Sequence, residues 1–259
     1  MTKTSIRLVI SLFLANGITA LVMSIYISSR ILALIGLGLV FWGAILLYIE
    51  PKKYVQVSLL NSTLSSAIMT VDQLISALNY CGTAIYLPSQ FSTEPRNEKV
   101  FINWGKGARI PQPHEVTNNQ ILVDNPLGLH LTPPGLGLTN LYEEEMGISF
   151  SQIDLDDLTK TLPKVFAEDL EIAESLEIER KSDSVCFRIT KHIYTDLCQN
   201  NASADCDRSL YCPLCSSIAI ALSRVYKKPI VINRLQIAPK EAVLEVSYRV
   251  CEDEHEFTY

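Results

Sequence analysis

The 259-residue chain is 48% hydrophobic and 19% charged, with a formal net charge of −6, which excludes a disordered tail protein and leaves length for one large or two small domains. The charge is unevenly spread: residues 1–53 carry Lys3, Arg7, Arg30, Lys52 and Lys53 against Glu50 alone, a net of +4 that leaves −10 for the remainder. An acidic remainder with no local basic patch repels phosphate backbones, so nucleic acid is not an expected partner.

The first elements are two apolar runs, IRLVISLFLANGITALVMSIYI over 6–27 and ILALIGLGLVFWGAILLYI over 31–49. Each has the length of about 20 residues that a helix needs to cross hydrocarbon, and neither shows a charged face. Ser28-Ser29-Arg30 is long enough only for a tight hairpin, so the two helices are expected to be antiparallel and adjacent. Gly17, Gly36, Gly38 and Gly43 suit close helix contact, or are simply the glycines that membrane helices tolerate. Lys3, Arg7, Lys52 and Lys53 flank one side and Arg30 lies alone in the hairpin loop, which by the positive-inside rule puts both ends in the cytoplasm. A rival reading makes the first run a cleaved signal peptide, after which the second run would carry the chain back inward. The expectation is an integral membrane protein with a two-span transmembrane hairpin over 1–53, the lipid bilayer as a partner and a large cytoplasmic domain. In that compartment the acceptor patterns Asn61-Ser62-Thr63 and Asn201-Ala202-Ser203 are chance matches.

After Pro51 the apolar residues Leu59, Leu60, Leu64, Ile68, Val71, Leu74, Ile75 and Leu78 recur at helical spacing and predict an amphipathic helix. GTAIYLP, EKVFINW and NQILVDN read as three short strands, and NPLGLHLTPPGLGLTN as an apolar loop packed on the domain or the bilayer. The glycines of that loop are turn-makers; the Lys and Ser/Thr of a phosphate loop do not follow in register. LTNLYEEEMG and DLDDLTKTLPKVFAEDLEIAESL are acidic and helical, with Pro163 expected to break or kink the second. LEIERKSDSVCFRIT reads as a hairpin, KHIYTDLCQN as a short helix, and CPLCSSIAIALSRVYKK as a helix with Ile218, Ala221, Leu222 and Val225 inward. PIVINRLQIAP and EAVLEVSYRV close the chain as two strands. The fold class expected after the hairpin is α+β, an antiparallel sheet covered by helices on one face, with regions at 54–150 and 151–259.

Four of the seven cysteines, Cys198, Cys206, Cys212 and Cys215, fall within 18 residues, the last pair as C-P-L-C. In a reducing compartment such thiols are metal ligands or redox partners before they are structural disulfides. Two thiolates three residues apart at a helix start can hold one ion, and the positive end of the helix favours the thiolate at Cys212. His192, six residues before Cys198, is a substitute ligand. The cofactor this implies is zinc or an iron–sulfur cluster, although C-x7-C-x5-C-x2-C matches no standard spacing for either. A thiol redox pair and simple packing of small hydrophobes are the competing readings. Glu143, Glu144 and Glu145 and the tail acids Glu252, Asp253, Glu254 and Glu256 read as solvated charge. No serine-hydrolase elbow, zinc-protease helix or EF-hand pattern occurs, and no catalytic residue is assigned.

The order of elements over 154–250, with TDLC and CPLCSSIAIALSRVYKKPIVI, resembles the 4-vinyl reductase domain and the related TRAPP-like fold. With the hairpin, GTAIYLP, PPGLG and LPKVFAEDLE, the whole chain is similar to uncharacterised two-span membrane proteins of archaea. The resemblance implies binding of a small hydrophobic molecule, and in some members a cysteine-ligated metal carried here by Cys212, Cys215 and Cys198. A later Gly-Asp-x-x-C segment of that family has no counterpart here. Three functions follow as expectations. The first is a membrane-anchored module that binds or senses a small ligand or metal without catalysis. The second is a scaffold that forms a homodimer or recruits a protein partner, and the third a membrane-associated redox protein with a cysteine-ligated metal.

Overall fold

The computed structural model describes residues 3–48, 57–78, 80, 82–92, 94, 96–105, 109–116, 120–181, 184–202, 210–238 and 242–251. The chain divides into two compact units, Met1–Gln56 and Val57–Tyr259.

The first unit is a helical hairpin of α1 (Lys3–Ile27) and α2 (Arg30–Tyr48). The chain reverses at Ser28, which takes a φ of 53°, and the next turn is started by Ala33 N–H donating to the Ser29 carbonyl at 3.2 Å. Glycine sets the helix contact. A Cβ on Gly17 would stand 2.7 Å from Val40 Cγ2 and 2.9 Å from Val40 N, and one on Gly36 would stand 2.9 Å from Leu21 N. These two glycines let the backbones touch; Gly38 faces open space. Away from that seam Leu12, Ile18, Val22, Leu34, Leu37 and Phe41 are exposed.

The expectation of two membrane spans is corrected here. Among the described residues no helix is long and apolar enough to cross a membrane. The assignment as an integral membrane protein with both ends in the cytoplasm falls with the spans. So does the argument that the compartment keeps the cysteines reduced, and their chemistry has to be read from geometry.

The second unit is α+β. Among the described residues its strands are β1 (Ala84–Tyr86), β2 (Val100–Asn103), β3 (Leu122–Asp124), β4 (Leu127–Leu131), β5 (Ser175–Arg180), β6 (Ser184–Thr190), β7 (Ile230–Ala238) and β8 (Val243–Val250). They form one sheet in the order β3-β4-β2-β1-β7-β8-β6-β5, and every neighbouring pair is antiparallel. The pairing of Ile85 with Val231 and of Tyr86 with Ile230 joins the strands before residue 150 to those after it.

Alternation along each strand assigns the two faces. Ala84, Tyr86, Val100, Ile102, Phe187, Ile189, Ile232, Val246 and Tyr248 point into the main core. Ile85, Phe101, Val123 and Val231 point the other way, into a smaller core closed by Phe91, Ile110 and Val116. That second layer covers only the β1–β2–β3 end. Beyond it the sheet face is open and polar, with Glu177, Cys186, Arg188, Gln236, Glu245 and Ser247 lining a shallow groove.

Helices cover the main face. These are α3 (Val57–Ala77), α4 (Leu136–Met146), α5 (Leu155–Lys164), α6 (Thr195–Ala202) and α7 (Pro213–Tyr226). In α3 the inward stripe is Leu64, Ile68, Val71 and Ile75, while Leu74 and Leu78, predicted for the same face, are exposed. α5 starts where Asp154 caps it, its carboxylate accepting from Asp157 N–H at 2.8 Å, a contact worth about 1 kcal/mol. Pro163 lies inside α5, and the chain widens directly after it into a π-turn, Val165–Asp169, consistent with the hydrogen bond proline cannot make. α7 is buried from Pro213 through Arg224 because sheet strands lie under it and α4 and α5 pack over it. A helix enclosed on all sides needs small or apolar residues all round, which SSIAIALS supplies.

The segment expected to be an apolar loop behaves otherwise. Leu127–Leu131 is strand β4, paired with β2 and β3, and α4 begins at Leu136. Its glycines and prolines obscured a period-two alternation, in which Leu129 enters the core between Gly128 and His130.

Candidate metal centre

Two helices bring three sulfurs together. Cys198 sits on α6, Cys212 is the N-cap residue of α7 and Cys215 lies in the first turn of α7. Pro213 at the first helical position, with φ pre-set, lets α7 start immediately after Cys212. The Sγ atoms of Cys198, Cys212 and Cys215 all lie within 4.8 Å of one another, and all three side chains are buried. The Cys212 and Cys215 sulfurs are 3.4 Å apart.

The scaffold holding these sulfurs is hydrogen-bonded on several sides. Cys198 N–H donates to the Tyr194 carbonyl at 3.0 Å and Ser216 N–H to the Cys212 carbonyl at 3.0 Å. Tyr248 on β8 donates its hydroxyl to the Cys215 carbonyl at 3.0 Å. From α4, Thr139 Oγ1 donates to the Ser217 carbonyl at 3.0 Å, and the Tyr142 hydroxyl lies 3.1 Å from Ser217 Oγ. Gly135 N–H donates to Ser216 Oγ at 3.1 Å. The first turn of α7 is thereby tied to both the sheet and α4.

The three thiols are electrostatically unequal. Burial alone would raise Cys212, but hydrogen bonds with Cys198 and Cys215, the Cys215 backbone N–H and the nearby His192 together hold it well below the usual thiol range. Cys198 and Cys215 are pushed up, first by hydrogen bonding within the trio and then by burial. Of the three, Cys212 is the one whose surroundings favour the thiolate, and a cation entering the trio would displace the thiol protons that remain. Burial also raises the phenols of Tyr142, Tyr194 and Tyr248, which stay neutral.

His192 is buried in the turn between β6 and α6, and its Nδ1 is enclosed without a hydrogen-bond partner. Burial lowers its pKa, with the Cys212 sulfur acting in the opposite sense. It stands near the trio without belonging to the group enclosed within 4.8 Å. Cys206 lies outside the described residues, as do the tail acids 252–256. Among the four cysteines singled out in the sequence, the fold thus unites Cys198, Cys212 and Cys215.

A second buried polar cluster carries no signal in the linear sequence. Arg224 on α7 donates through Nε to Glu98 Oε1 at 2.9 Å and through Nη2 to Glu98 Oε2 at 2.5 Å and Asn140 Oδ1 at 2.7 Å. Its Nη1 is 3.0 Å from Glu143 Oε2. Glu143, expected in a solvated acidic run, is buried and also accepts from Phe150 N–H at 2.7 Å and Ser149 Oγ at 3.0 Å. Arg96 reaches Glu143 from the surface at 3.3 Å, so two guanidinium groups face two carboxylates. The arrangement locks α4 and α7 to the strand-leading segment at Glu98 and offers no free donor set for a ligand.

No curated protein matches the chain. No solved structure does so either. A family defined as a domain of unknown function, DUF7982, matches residues 1–249, nearly the whole chain, and the protein belongs to that family.

Proposed function

We propose that this chain is a metal-binding protein that holds a single zinc ion on Cys198, Cys212 and Cys215 for a structural or sensing task rather than for catalysis. The observation that carries this is the convergence of three buried sulfurs, from two helices and the cap between them, within 4.8 Å. Tetrahedral zinc with Zn–S bonds of about 2.3 Å holds its sulfurs roughly 3.8 Å apart, a spacing the trio already approaches. A [4Fe–4S] cluster gives each thiolate its own iron and a [2Fe–2S] cluster places at most two on one iron, so three sulfurs this close favour one ion. Burial argues against catalysis, because a catalytic ion keeps a position open to water and substrate. The open groove on the sheet is lined by Glu177, Arg188 and Glu245, which does not suit a small hydrophobic ligand.

The test is elemental analysis of the full chain purified under reducing conditions with zinc and iron both supplied. About one equivalent of zinc in a colourless protein, lost in Cys212→Ser, supports the reading. A metal-free wild type, or a brown iron-containing one, overturns it.

A second reading, that the chain recruits a protein partner or a second copy of itself, rests on a different observation. The hairpin leaves Leu12, Ile18, Val22, Leu34, Leu37 and Phe41 exposed, and large exposed apolar surface marks contact sites. Sedimentation of the full chain against a Leu34→Lys/Phe41→Lys variant tests it. Assembly that persists unchanged in the variant would remove the hairpin from the contact.

A further inference from the structure

We propose that His192 supplies the fourth ligand through Nδ1 and closes the site as Cys3His. This rests on the metal-binding reading above. Three sulfurs leave one tetrahedral position, and a buried structural ion does not leave that position to bulk water. Among the described residues near the trio, the buried nitrogen with nothing to bond to is His192 Nδ1. A buried acceptor or donor without a partner costs on the order of 1–3 kcal/mol, and ligation removes that cost.

The backbone around His192 is held in place. Lys191 N–H donates to the Ala242 carbonyl at 2.8 Å and Ile193 N–H to the Ile172 carbonyl at 2.9 Å. Thr195 Oγ1 donates to the His192 carbonyl at 2.6 Å, and Asn61 Nδ2 to the Ile193 carbonyl at 3.2 Å. Lys191 takes a φ of 48°, a left-handed turn directly before the histidine. The turn between β6 and α6 is thus held from three sides, and His192 enters the interior at a set point near Cys212. Its imidazole lies outside the 4.8 Å group, so ligation requires the ring to swing toward the sulfurs while the pinned backbone stays in place. The pairing is chemically matched: zinc takes imidazole and thiolate together, and a ligating histidine must be neutral.

The probe is cobalt(II) bound to the full chain, because its visible ligand-field and sulfur charge-transfer bands report both tetrahedral geometry and the ratio of sulfur to nitrogen. Wild type is expected to give a three-sulfur, one-nitrogen spectrum. His192→Ala should shift that spectrum and weaken zinc binding at least about tenfold. His192→Cys should restore tight binding with a four-sulfur spectrum. If His192→Ala leaves spectrum and affinity unchanged while Cys206→Ser alters both, the fourth ligand is Cys206 and the proposal fails with the metal site intact. A wild type that binds no cobalt overturns the metal reading itself. Should His192→Ala not fold, X-ray absorption of the zinc-loaded wild type decides: multiple scattering from an imidazole supports His192, and a sulfur-only shell overturns it.

Discussion

Arg224 and Glu98 form a two-point ion pair inside the second unit, Nε to Oε1 at 2.9 Å and Nη2 to Oε2 at 2.5 Å, with both side chains almost wholly buried. The partners lie 126 residues apart in the chain. Removing one member of a buried pair leaves the other charge without its counterion, which costs far more than the pair contributes relative to an apolar replacement. Glu98→Ala is therefore expected to lower the unfolding free energy by about 3–5 kcal/mol. Urea denaturation checks this through a fall in the midpoint at constant m; a change below about 1 kcal/mol would mean that Glu143 and Asn140 alone suffice for Arg224.

Tyr248 and Cys215 connect the sheet to the sulfur trio through one hydrogen bond of 3.0 Å. Tyr248→Phe keeps the ring, which packs edge-on against Phe187 at 5.3 Å, and deletes only the donor. A loss of about 1 kcal/mol is expected in thermal or chemical unfolding. Because the carbonyl rather than the sulfur is contacted, metal stoichiometry should be unchanged.

Two glycines near the start of α4 should respond in opposite directions to alanine. A Cβ at Gly135 would overlap Ser217 N and stand 2.6 Å from the Pro213 carbonyl oxygen, so Gly135→Ala must push α4 away from the first turn of α7. Destabilisation of at least about 2 kcal/mol, together with weaker metal binding, is the expected outcome. Gly137 is inside the helix with open space around it, and Gly137→Ala should stabilise by about 0.5–1 kcal/mol. Parallel melting curves of the two variants provide the comparison.

Glu115 reports on the loop that closes the smaller core. Its hydrogen bonds from Arg109, then from Gln112 N–H, pull the carboxyl from 4.5 down to about 2. A carboxyl with a depressed folded pKa stabilises the fold above its unfolded pKa, and that contribution fades as pH falls toward the folded value. The contribution is thus complete at neutral pH and declines between about pH 4.5 and 2. Glu115→Gln should be less stable than wild type at pH 7, with the difference shrinking through that window. Carboxyl NMR titration of Glu115 gives the direct check: a midpoint near 4.5 would remove the basis of this expectation.

Local pattern in the sequence carried much of the second unit. The alternation in SLEIER, SVCFRIT and VLEVSYRV gave β5, β6 and β8, and the acidic helical segment that opens at Asp154, with its expected break at Pro163, gave α5. These are short-range signals, fixed by where a side chain points relative to its near neighbours. The antiparallel hairpin was legible for the same reason, since Ser28-Ser29-Arg30 permits nothing longer than a tight reversal. Apolar content alone misled on the membrane, since among the described residues no helix is both long and apolar enough to cross one. Strand β4 was hidden because Gly128 and the following prolines look like a loop until Val100 and Ile102 are set beside Leu131 and Leu129.

The candidate site divides along the same line. Sequence alone named Cys198, Cys206, Cys212, Cys215 and His192 as chemically able residues, because thiolate and imidazole are the groups that hold soft and borderline ions. Only the tertiary structure decided that Cys198 on α6 meets the first turn of α7, that Glu143 of an acidic run is buried against Arg224, and that His192 Nδ1 is enclosed without a partner. Those outcomes depend on contacts between elements distant in the chain, set by which faces pack together. Residue type fixes what chemistry is available, and packing fixes which of those groups are brought within reach of one another.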